Sequence, residues 1–291
     1  MLTEQQNPNT TDIDRLSTLE MLGRINDEDR TVADAVRGAL PQIAQAVDAI
    51  TVRLRDGGRL IYSGAGTSGR LGVLDAVECV PTYSAPPGLI VGVIAGGNPA
   101  LTRSVENAED DAEAGAADLR GLELSAKDCV VGIAASGRTP YVLGAIAYAR
   151  EVGAFTAGIA CNAPAPLLDA ADVGIGVPVG PEVITGSTRM KAGTAQKMIL
   201  NMLSTSVMIK MGKVYGNLMV DVQVTNEKLA RRARQLVCSV TGADSATADD
   251  LLRQADQQVK VAILMHKFNL SAPSARAKLA EAGDTLHPLI D

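Results

Sequence analysis

Short apolar runs alternate with stretches of helical periodicity through the middle of the chain. The apolar runs are residues 59–63, 89–94, 128–134, 154–160 and 173–179. Apolar residues recur at helical spacing in 68–79, 99–120, 140–152 and 187–212. Strands that are apolar along their whole length are typical of a parallel sheet whose two faces are covered by helices. The pattern therefore predicts an α/β fold with a five-stranded parallel sheet between helices, which binds ligands beyond the carboxyl ends of its strands.

The segment before the first strand is predicted to be a helical arm. Residues 1–10 are polar, which predicts a loosely ordered segment at the beginning of the arm. An amphipathic helix is predicted from Asp12, and a second one from Asn26-Asp27 towards Arg55. Proline removes a helical hydrogen bond, so a kink or break is expected at Pro41.

The segment after the last predicted strand has no further strand signal. Residues 225–291 alternate charged and apolar residues at helical spacing, with breaks near Gly242, Ser271-Ala272-Pro273 and Gly283. This predicts a small bundle of three or four helices. The resulting division is a helical arm over 1–49, a sheet domain over 50–215 and a C-terminal helical domain over 216–291.

Composition narrows the kinds of partner. The 291 residues carry a net charge of −6 and only 2% aromatics, which argues against a basic nucleic-acid surface or aromatic platforms for bases. The four cysteines form no C-x-x-C pair, so neither a metal site nor a disulfide framework is expected. The chain has no signal-peptide pattern and no apolar run of about 18 residues. We therefore expect a cytoplasmic protein that needs no cofactor and does not bind membranes.

The segment Gly64 to Arg70 is predicted to bind an anion. It joins the first strand to a helix, and the free N–H groups and positive end of a helix favour phosphate. Gly66 is a candidate ligand there, and Thr67 and Ser68 add hydroxyl donors. Two alternatives stay open, a purely structural turn and a dinucleotide site of the G-x-G-x-x-G type. The second would require an acidic residue after the second strand, where the chain has only Ala95-Gly96-Gly97.

Two more turns rich in glycine and hydroxyl residues open helices. The first follows the third strand, and its Ser136, Gly137, Arg138 and Thr139 are predicted to contact the same phosphate, although plain helix capping is the alternative. The other spans 182–193, where Ser187, Arg189 and Lys191 precede or open a long helix. Positive charge there opposes the helix dipole, so a bound anion would explain it.

Candidate acid–base residues follow these turns. Glu78 lies in an otherwise apolar stretch, which predicts a desolvated carboxyl with a raised pKa, unless it is a salt-bridged helix end. An acidic run is formed by Glu106, Glu109, Asp110 and Asp111. Composition alone does not show which of these carboxylates is catalytic.

Long strings of the sequence resemble the SIS (sugar isomerase) domain and, more closely, the N-acetylmuramic acid 6-phosphate etherase family. These strings cover nearly the whole chain and are Ile13–Met21, Ile25–Asp29, Gly64–Gly72, Glu78–Tyr83, Ala134–Tyr141, 185–197 and Gly216–Asp221. The resemblance implies a flavodoxin-like SIS fold, a homodimer without a metal, and a role in recycling cell-wall muropeptides. It also implies that Glu78 is the catalytic acid and that Glu109, rather than Glu106, is the second catalytic glutamate.

The reaction implied by the resemblance is cleavage of the D-lactyl ether at C3 of the sugar, giving N-acetylglucosamine 6-phosphate and D-lactate. In the open-chain sugar the C1 aldehyde acidifies the C2 proton, so Glu109 removes that proton while Glu78 protonates the leaving oxygen. Water then adds at C3. The phosphosugar is expected to bind to Gly66, Thr67, Ser68, Ser136, Gly137, Arg138, Thr139, Ser187 and Lys191.

Two other functions remain as alternatives. An aldose–ketose phosphosugar isomerase also needs a base at C2, but such enzymes often use a histidine to open the ring. The chain has only His266 and His287, both in the predicted C-terminal helices. A sugar-phosphate-sensing regulator would be expected to carry a basic helix-turn-helix segment, which the sequence lacks.

Overall fold

The computed structural model describes residues 1–224 and 226–290. The chain divides into two compact units. The first unit comprises Met1–Val77 and Gly88–Ser204, and the second comprises Glu78–Pro87 and the residues from Thr205 onward. Within the described residues, no helix combines the length and apolar character needed to cross a membrane.

The first unit contains the predicted five-stranded parallel sheet. Its strands are β1 Leu60–Gly64, β2 Ile90–Ile94, β3 Cys129–Ile133, β4 Phe155–Ala160 and β5 Val173–Gly176. They lie in the order β2-β1-β3-β4-β5, and all four pairings are parallel. Every residue of β1, β3 and β4 is buried, as continuous apolar runs require. The fold class and all five strand positions are confirmed, with β5 ending three residues before the predicted limit.

Helices alternate with the strands along the chain, and a short one between β4 and β5 lies where the pattern predicts no helix. They are α1 Thr18–Arg30, α2 Val32–Arg37, α3 Leu40–Arg55, α4 Gly66–Tyr83, α5 Pro99–Thr102, α6 Ala112–Gly121, α7 Pro140–Val152, α8 Pro166–Ala170 and α9 Lys191–Lys210. Helices α6 and α7 approach closely through two glycines. A Cβ at Gly115 would lie 2.0 Å from the Tyr141 carbonyl oxygen, and one at Gly144 would lie 1.9 Å from that of Ala112.

The predicted loose arm at 1–10 is wrong. Thr3, Asn7 and Thr10 are buried, and Leu2–Glu4 forms a short 3-10 helix. The Asn162 side-chain amide donates to Thr3 Oγ1 at 3.0 Å, and Thr10 Oγ1 donates to the Val183 carbonyl at 2.8 Å. These polar residues are ordered because they hydrogen-bond to distant parts of the first unit, which local polarity does not reveal.

Two helix beginnings in the arm differ from the prediction. The helix expected from Asp12 begins at Thr18, after a 3-10 turn at Ile13–Arg15. Ser17 caps α1, accepting from the Glu20 N–H while the Glu20 carboxylate accepts from the Ser17 N–H. The cap predicted at Asn26-Asp27 is therefore wrong, because those residues lie inside α1. The break predicted at Pro41 is confirmed, since α2 ends at Arg37 and Pro41 stands in the first turn of α3.

The helix predicted over 99–120 is divided. Helix α5 ends at Thr102, a 3-10 turn spans Ala108–Asp110, and α6 begins at Ala112. Asn107 takes a left-handed conformation at φ 59° just before the 3-10 turn. The resulting loop between α5 and α6 carries the acidic run found in the sequence.

Residues 226–290 contain five helices, more than the three or four that the sequence predicts. They are α10 Glu227–Thr241, α11 Ser245–Gln254, α12 Val259–Phe268, α13 Ala272–Glu281 and the short α14 His287–Ile290. Breaks occur at Gly242 and Ser271 as predicted. Ion pairs of the buried Lys260 support the second unit, since Lys260 Nζ lies 2.8 Å from Asp221 Oδ2 and 2.9 Å from Asp284 Oδ2.

Candidate active site

The beginning of α4 is an open helix end at the carboxyl edge of the sheet. Gly66 has φ 53°, and a Cβ there would meet no atom within 4 Å. The first α4 N–H that reaches a carbonyl of the preceding turn is that of Gly69, bonded to Ala65 at 3.2 Å. The N–H groups of Gly66, Thr67 and Ser68 therefore lie ahead of the helical hydrogen-bond ladder, where helix ends bind anions.

Two flanking glycines make this turn tight. A Cβ at Gly64 would lie 2.7 Å from the Gly69 nitrogen, and one at Gly69 would lie 2.6 Å from the Gly64 oxygen. In the G-x-G-x-x-G pattern, Gly64 and Gly69 thus allow the backbone to pack closely, and Gly66 leaves the beginning of the helix open. The dinucleotide alternative gains no support, because β2 is followed by Ala95-Gly96-Gly97 without an acidic residue.

The sheet brings the turn after β3 beside the turn after β1, since Gly64 pairs with Ile133 across the two strands. Gly137 has φ 66° and is so close to Ala165 that a Cβ there would lie 2.6 Å from the alanine Cβ. Ser136 Oγ accepts from the Arg138 N–H at 3.1 Å. Thr139 precedes α7 but makes no side-chain capping bond, so its half-buried hydroxyl is not used in capping the helix.

Arg138 is placed differently from its neighbours. Its side chain is exposed and lines a surface depression with Pro164, Pro166 and Asp169. Ser136, Gly137 and Thr139 therefore lie at the edge of the sheet, because they follow the end of β3. The Arg138 side chain instead lies beside the α8 segment.

A cavity of about 210 Å³ adjoins the open end of α4. Gly66 and Arg70 line it on one side, and the loop residues Ser104 to Glu109 line it on the other. Arg70 donates to the Arg103 carbonyl at 3.1 Å and so fastens this loop. Both Glu106 and Glu109 line the cavity, so its geometry does not choose between them, but it does place a carboxylate beside the predicted anion site.

Glu78 is an exposed residue of α4. The chain's own apolar residues therefore do not desolvate it, contrary to the expectation from its sequence neighbours. Leu74 and Val77 of the same helix are also exposed, at 54% and 59%. An apolar surface of this kind is typical of a region covered by another molecule.

The beginning of α9 is closed by the chain itself. The Glu182 carboxylate accepts from the N–H groups of Lys191 and Ala192 at 2.8 and 3.0 Å. The Lys191 ammonium is buried and donates to Glu28 Oε2 at 2.7 Å and to the Pro181 carbonyl at 3.2 Å. The anion that the first-turn charge predicts at this helix is therefore supplied internally, by Glu182 and Glu28.

The pKa values of the two carboxyl groups, Glu182 and Glu28, are shifted in opposite directions. Desolvation raises the pKa of Glu182, and the two N–H bonds only partly oppose it. Desolvation alone would also raise the pKa of Glu28, but hydrogen bonds from Lys191, Asn9 and Asn7 outweigh it and lower that pKa. The assignment of Lys191 to the phosphosugar stays a prediction that requires release of the Glu28 ion pair. Ser187 is half-buried just before α9, and Arg189 is exposed.

Two residues near these turns make contacts that the sequence does not predict. Glu182 lies nine residues before the helix that it caps, too far for a capping-box pattern. Gln196 accepts from the Ser68 hydroxyl at 3.0 Å across 128 residues of chain, and no local signal marks that contact. Among the described residues, no group of three His, Cys, Asp or Glu side chains is arranged to hold a metal ion.

The sheet order and the two turns after its neighbouring strands define the SIS class of α/β domains. Two family models match the chain, the glucokinase regulatory protein N-terminal SIS domain over residues 42–150 and the SIS domain over 111–206. N-acetylmuramic acid 6-phosphate etherase of Aliivibrio fischeri strain MJ11 is 57% identical over 281 residues, 97% of this chain and 94% of that protein. The enzyme of the same name from Yersinia pestis strain Pestoides F is 58% identical, covering 97% and 95%. The chain belongs to the N-acetylmuramic acid 6-phosphate etherase family.

Among solved structures, a phosphoheptose isomerase from Francisella tularensis is similar in fold, with a TM-score of 0.53 and 19% identity. The similarity covers 66% of this chain and 98% of the isomerase chain. At this identity the comparison supports the architecture alone, and it agrees with the five-stranded sheet described above.

Proposed function

We propose that the protein cleaves the D-lactyl ether of N-acetylmuramic acid 6-phosphate with water and releases N-acetylglucosamine 6-phosphate and D-lactate. The observation that carries this proposal is the 57–58% identity, over 97% of the chain, to proteins named for that activity. The reaction would serve the recycling of cell-wall muropeptides. The isomerase alternative is supported only by the similarity in fold. The two histidines, the residue type that such enzymes often use to open the sugar ring, lie in α12 and α14 of the second unit.

In the proposed mechanism Glu109 is the base. Its carboxylate removes the C2 proton of the open-chain aldehyde, and the electron pair left on C2 forms the C2–C3 double bond as the C3–O bond breaks. Glu78 donates a proton to the departing lactyl oxygen. Glu78, now a carboxylate, accepts a proton from the water that adds at C3, and Glu109 returns its proton to C2. Both carboxyl groups thus regain their starting protonation states, and no net proton or electron is consumed. The position of Glu109 in the cavity beside Gly66 supports its role.

In this proposal the phosphate binds at the open end of α4, to the N–H groups and hydroxyls of the segment Gly66 to Ser68. The adjacent turn after β3, with Ser136, Gly137 and Thr139, completes the phosphate site. Anchoring the phosphate at one end orients the reacting carbons towards the carboxylates, which lowers the entropic part of the barrier. Arg138, Ser187 and Lys191 are proposed as further ligands of the phosphosugar.

We also propose a homodimer that works in the cytoplasm. The exposed Leu74 and Val77 of α4 support a surface on this helix that a partner subunit covers, and the same partner would cover the exposed Glu78. All four cysteines are free thiols, as is typical of a reducing compartment. A Val77→Glu variant should shift the mass measured by light scattering towards the monomer. The same change at Val52, which is 67% exposed on α3, should leave the mass unchanged.

The decisive experiment is incubation with N-acetylmuramic acid 6-phosphate in ¹⁸O-water. Release of D-lactate with ¹⁸O in the sugar product would establish cleavage of the bond between C3 and oxygen followed by addition of water. Tight binding of the substrate without lactate would indicate a sensor. Conversion of an aldose phosphate into a ketose phosphate, without lactate, would indicate an isomerase.

A further inference from the structure

Gln196 is a buried side chain that lies directly behind the predicted phosphate turn. It stands in α9 and is 1% exposed. Its Oε1 accepts from the hydroxyl of Ser68, which is itself only 7% exposed, at 3.0 Å. In this orientation the only hydroxyl proton of Ser68 points at Gln196. It is therefore withheld from any anion bound in front of the turn.

The other end of the same amide has no conventional partner. Gln196 Nε2 is buried and makes no hydrogen bond to any oxygen or nitrogen of the described residues. The Gln196 side chain lies beside the thiol of Cys161, whose sulfur is a weak acceptor. Burial raises the pKa of that thiol to about 12, so it keeps its proton. An amide N–H₂ buried in this way is costly for the folded protein.

Turning the amide by 180° reverses both contacts. Nε2 would then donate to Ser68 Oγ, and Oε1 would lie beside the protonated Cys161 thiol, which now donates to the Ala192 carbonyl at 3.6 Å. The Ser68 hydroxyl would be free to donate to an anion. The turned orientation costs Ser68 its present acceptor, and an anion bound in front of the turn would provide another one and so favour this orientation.

We propose that Gln196 is a positioning residue for the phosphate turn, which donates to Ser68 Oγ when the phosphoryl group is bound and so directs the Ser68 proton to a phosphate oxygen. This inference rests on the proposed phosphosugar site. It assigns a part in anion binding to a residue inside α9, beyond the first N–H groups of this helix, which Glu182 accepts. The ligand class is a phosphate monoester dianion, which offers only acceptors at neutral pH.

The test compares Gln196→Met, Ser68→Ala and the double variant, each checked for an unchanged melting temperature. The readouts are the Kd of inorganic phosphate by calorimetry and the kcat and KM for N-acetylmuramic acid 6-phosphate. Loss of one hydrogen bond predicts a ~3–10-fold weaker phosphate Kd for Gln196→Met and a KM that rises more than kcat falls. In the Ser68→Ala background the Gln196→Met change should have no further effect. Gln254→Met, at an exposed glutamine of α11, serves as the control and should change nothing.

Equal effects of Gln196→Met with and without the Ser68 hydroxyl would overturn the inference and indicate simple packing. So would a phosphate Kd that Gln196→Met leaves unchanged. Gln196→Glu provides a second probe of the same shape, since a carboxylate only accepts from Ser68 and should weaken phosphate binding more than methionine does. Phosphate affinity as tight as in the wild type in this variant would also contradict it. Because calorimetry needs no turnover, a failure of the ether-cleavage proposal would remain distinguishable from a failure here.

Discussion

Helices α4 and α9 both begin at segments rich in glycine and hydroxyl side chains, and sequence reasoning predicts an anion at each. The beginning of α4 is open, because Gly66 has unoccupied space around it and precedes the first helical hydrogen bond. The beginning of α9 is closed, because Glu182 accepts its first N–H groups and Glu28 neutralises Lys191. The same local signal thus has two outcomes. An open helix end can bind a ligand, whereas one closed by the chain stabilises the fold.

The largest expected effect concerns the carboxylates beside the open end. Glu109→Gln should lower kcat by ~100-fold or more, as expected when a general base is removed, while inorganic phosphate still inhibits. Glu106→Gln is the matched control in the same cavity and should retain most of the activity. Steady-state kinetics on both variants decides the assignment, and the opposite ranking would move the base to Glu106.

The next effect concerns stability at the closed end. Glu28→Gln leaves the buried Lys191 ammonium without its counterion and should lower the free energy of unfolding by ~3 kcal/mol at pH 7. Because the pKa of Glu28 is lowered in the folded protein, its contribution is present above the ordinary value of 4.5 and is lost as the pH falls through the lowered pKa. The difference between wild type and variant in urea unfolding should therefore shrink at acid pH.

The control for that experiment is Asp27→Asn, since Asp27 pairs with Arg30 at 3.7 Å on the exposed surface of α1. This exposed pair should contribute less than about 0.5 kcal/mol. A constant difference between wild type and Glu28→Gln across the acid range would show that the ion pair with Lys191 is not the source of the stability.

A smaller loss is expected when the helix cap is weakened. Glu182→Gln keeps one acceptor oxygen for the N–H groups of Lys191 and Ala192 and removes the charge, which should cost ~1–2 kcal/mol in urea unfolding. Glu113→Gln, at an exposed pair with Arg120, should be nearly neutral. Tighter binding of inorganic phosphate to Glu182→Gln, at a new site, would mean that only this carboxylate distinguishes the closed end from the open one.

The smallest expected effect separates strain from ligand binding. Gly66 and Gly57 both have positive φ, at 53° and 85°, and a Cβ at either position would meet no atom within 4 Å. Alanine at either site should cost ~1 kcal/mol of stability through backbone strain. Only Gly66→Ala should also raise KM, because its methyl group projects into the proposed phosphate site. Equal KM values for the two variants would contradict an anion at α4.

Much of the fold follows from local patterns. The five strands, α7 and the breaks at Pro41 and Gly242 are where periodicity, proline and glycine indicate them. The failure at the beginning of the chain has a long-range cause. The arm at 1–10 is ordered by Asn162 and Val183, which are far away in the chain, so its polar residues show no local sign of burial.

The candidate site divides in the same way. The turns after β1 and β3 and the acidic loop are evident in the sequence, and parallel pairing brings both turns to one edge. The acidic loop contains two glutamates that both line the cavity, and the choice of Glu109 rests on family resemblance. The role of Glu109 and the phosphate site at the beginning of α4 are predictions that the kinetics above test, and the role of Glu78 is a prediction from the family resemblance.

The sequence by itself determined the sheet, its helical covers and the glycine and hydroxyl turns at the strand ends. It could do so because burial on two faces demands continuous apolar runs, and tight turns demand residues without a Cβ. Only the tertiary structure decided which helix end is open. The carboxylate that neutralises Lys191 comes from Glu28, 163 residues earlier, and the acceptor for Ser68 comes from Gln196, 128 residues later. Such long-range pairs are set by packing, because no local pattern constrains side chains that meet only after the chain has folded.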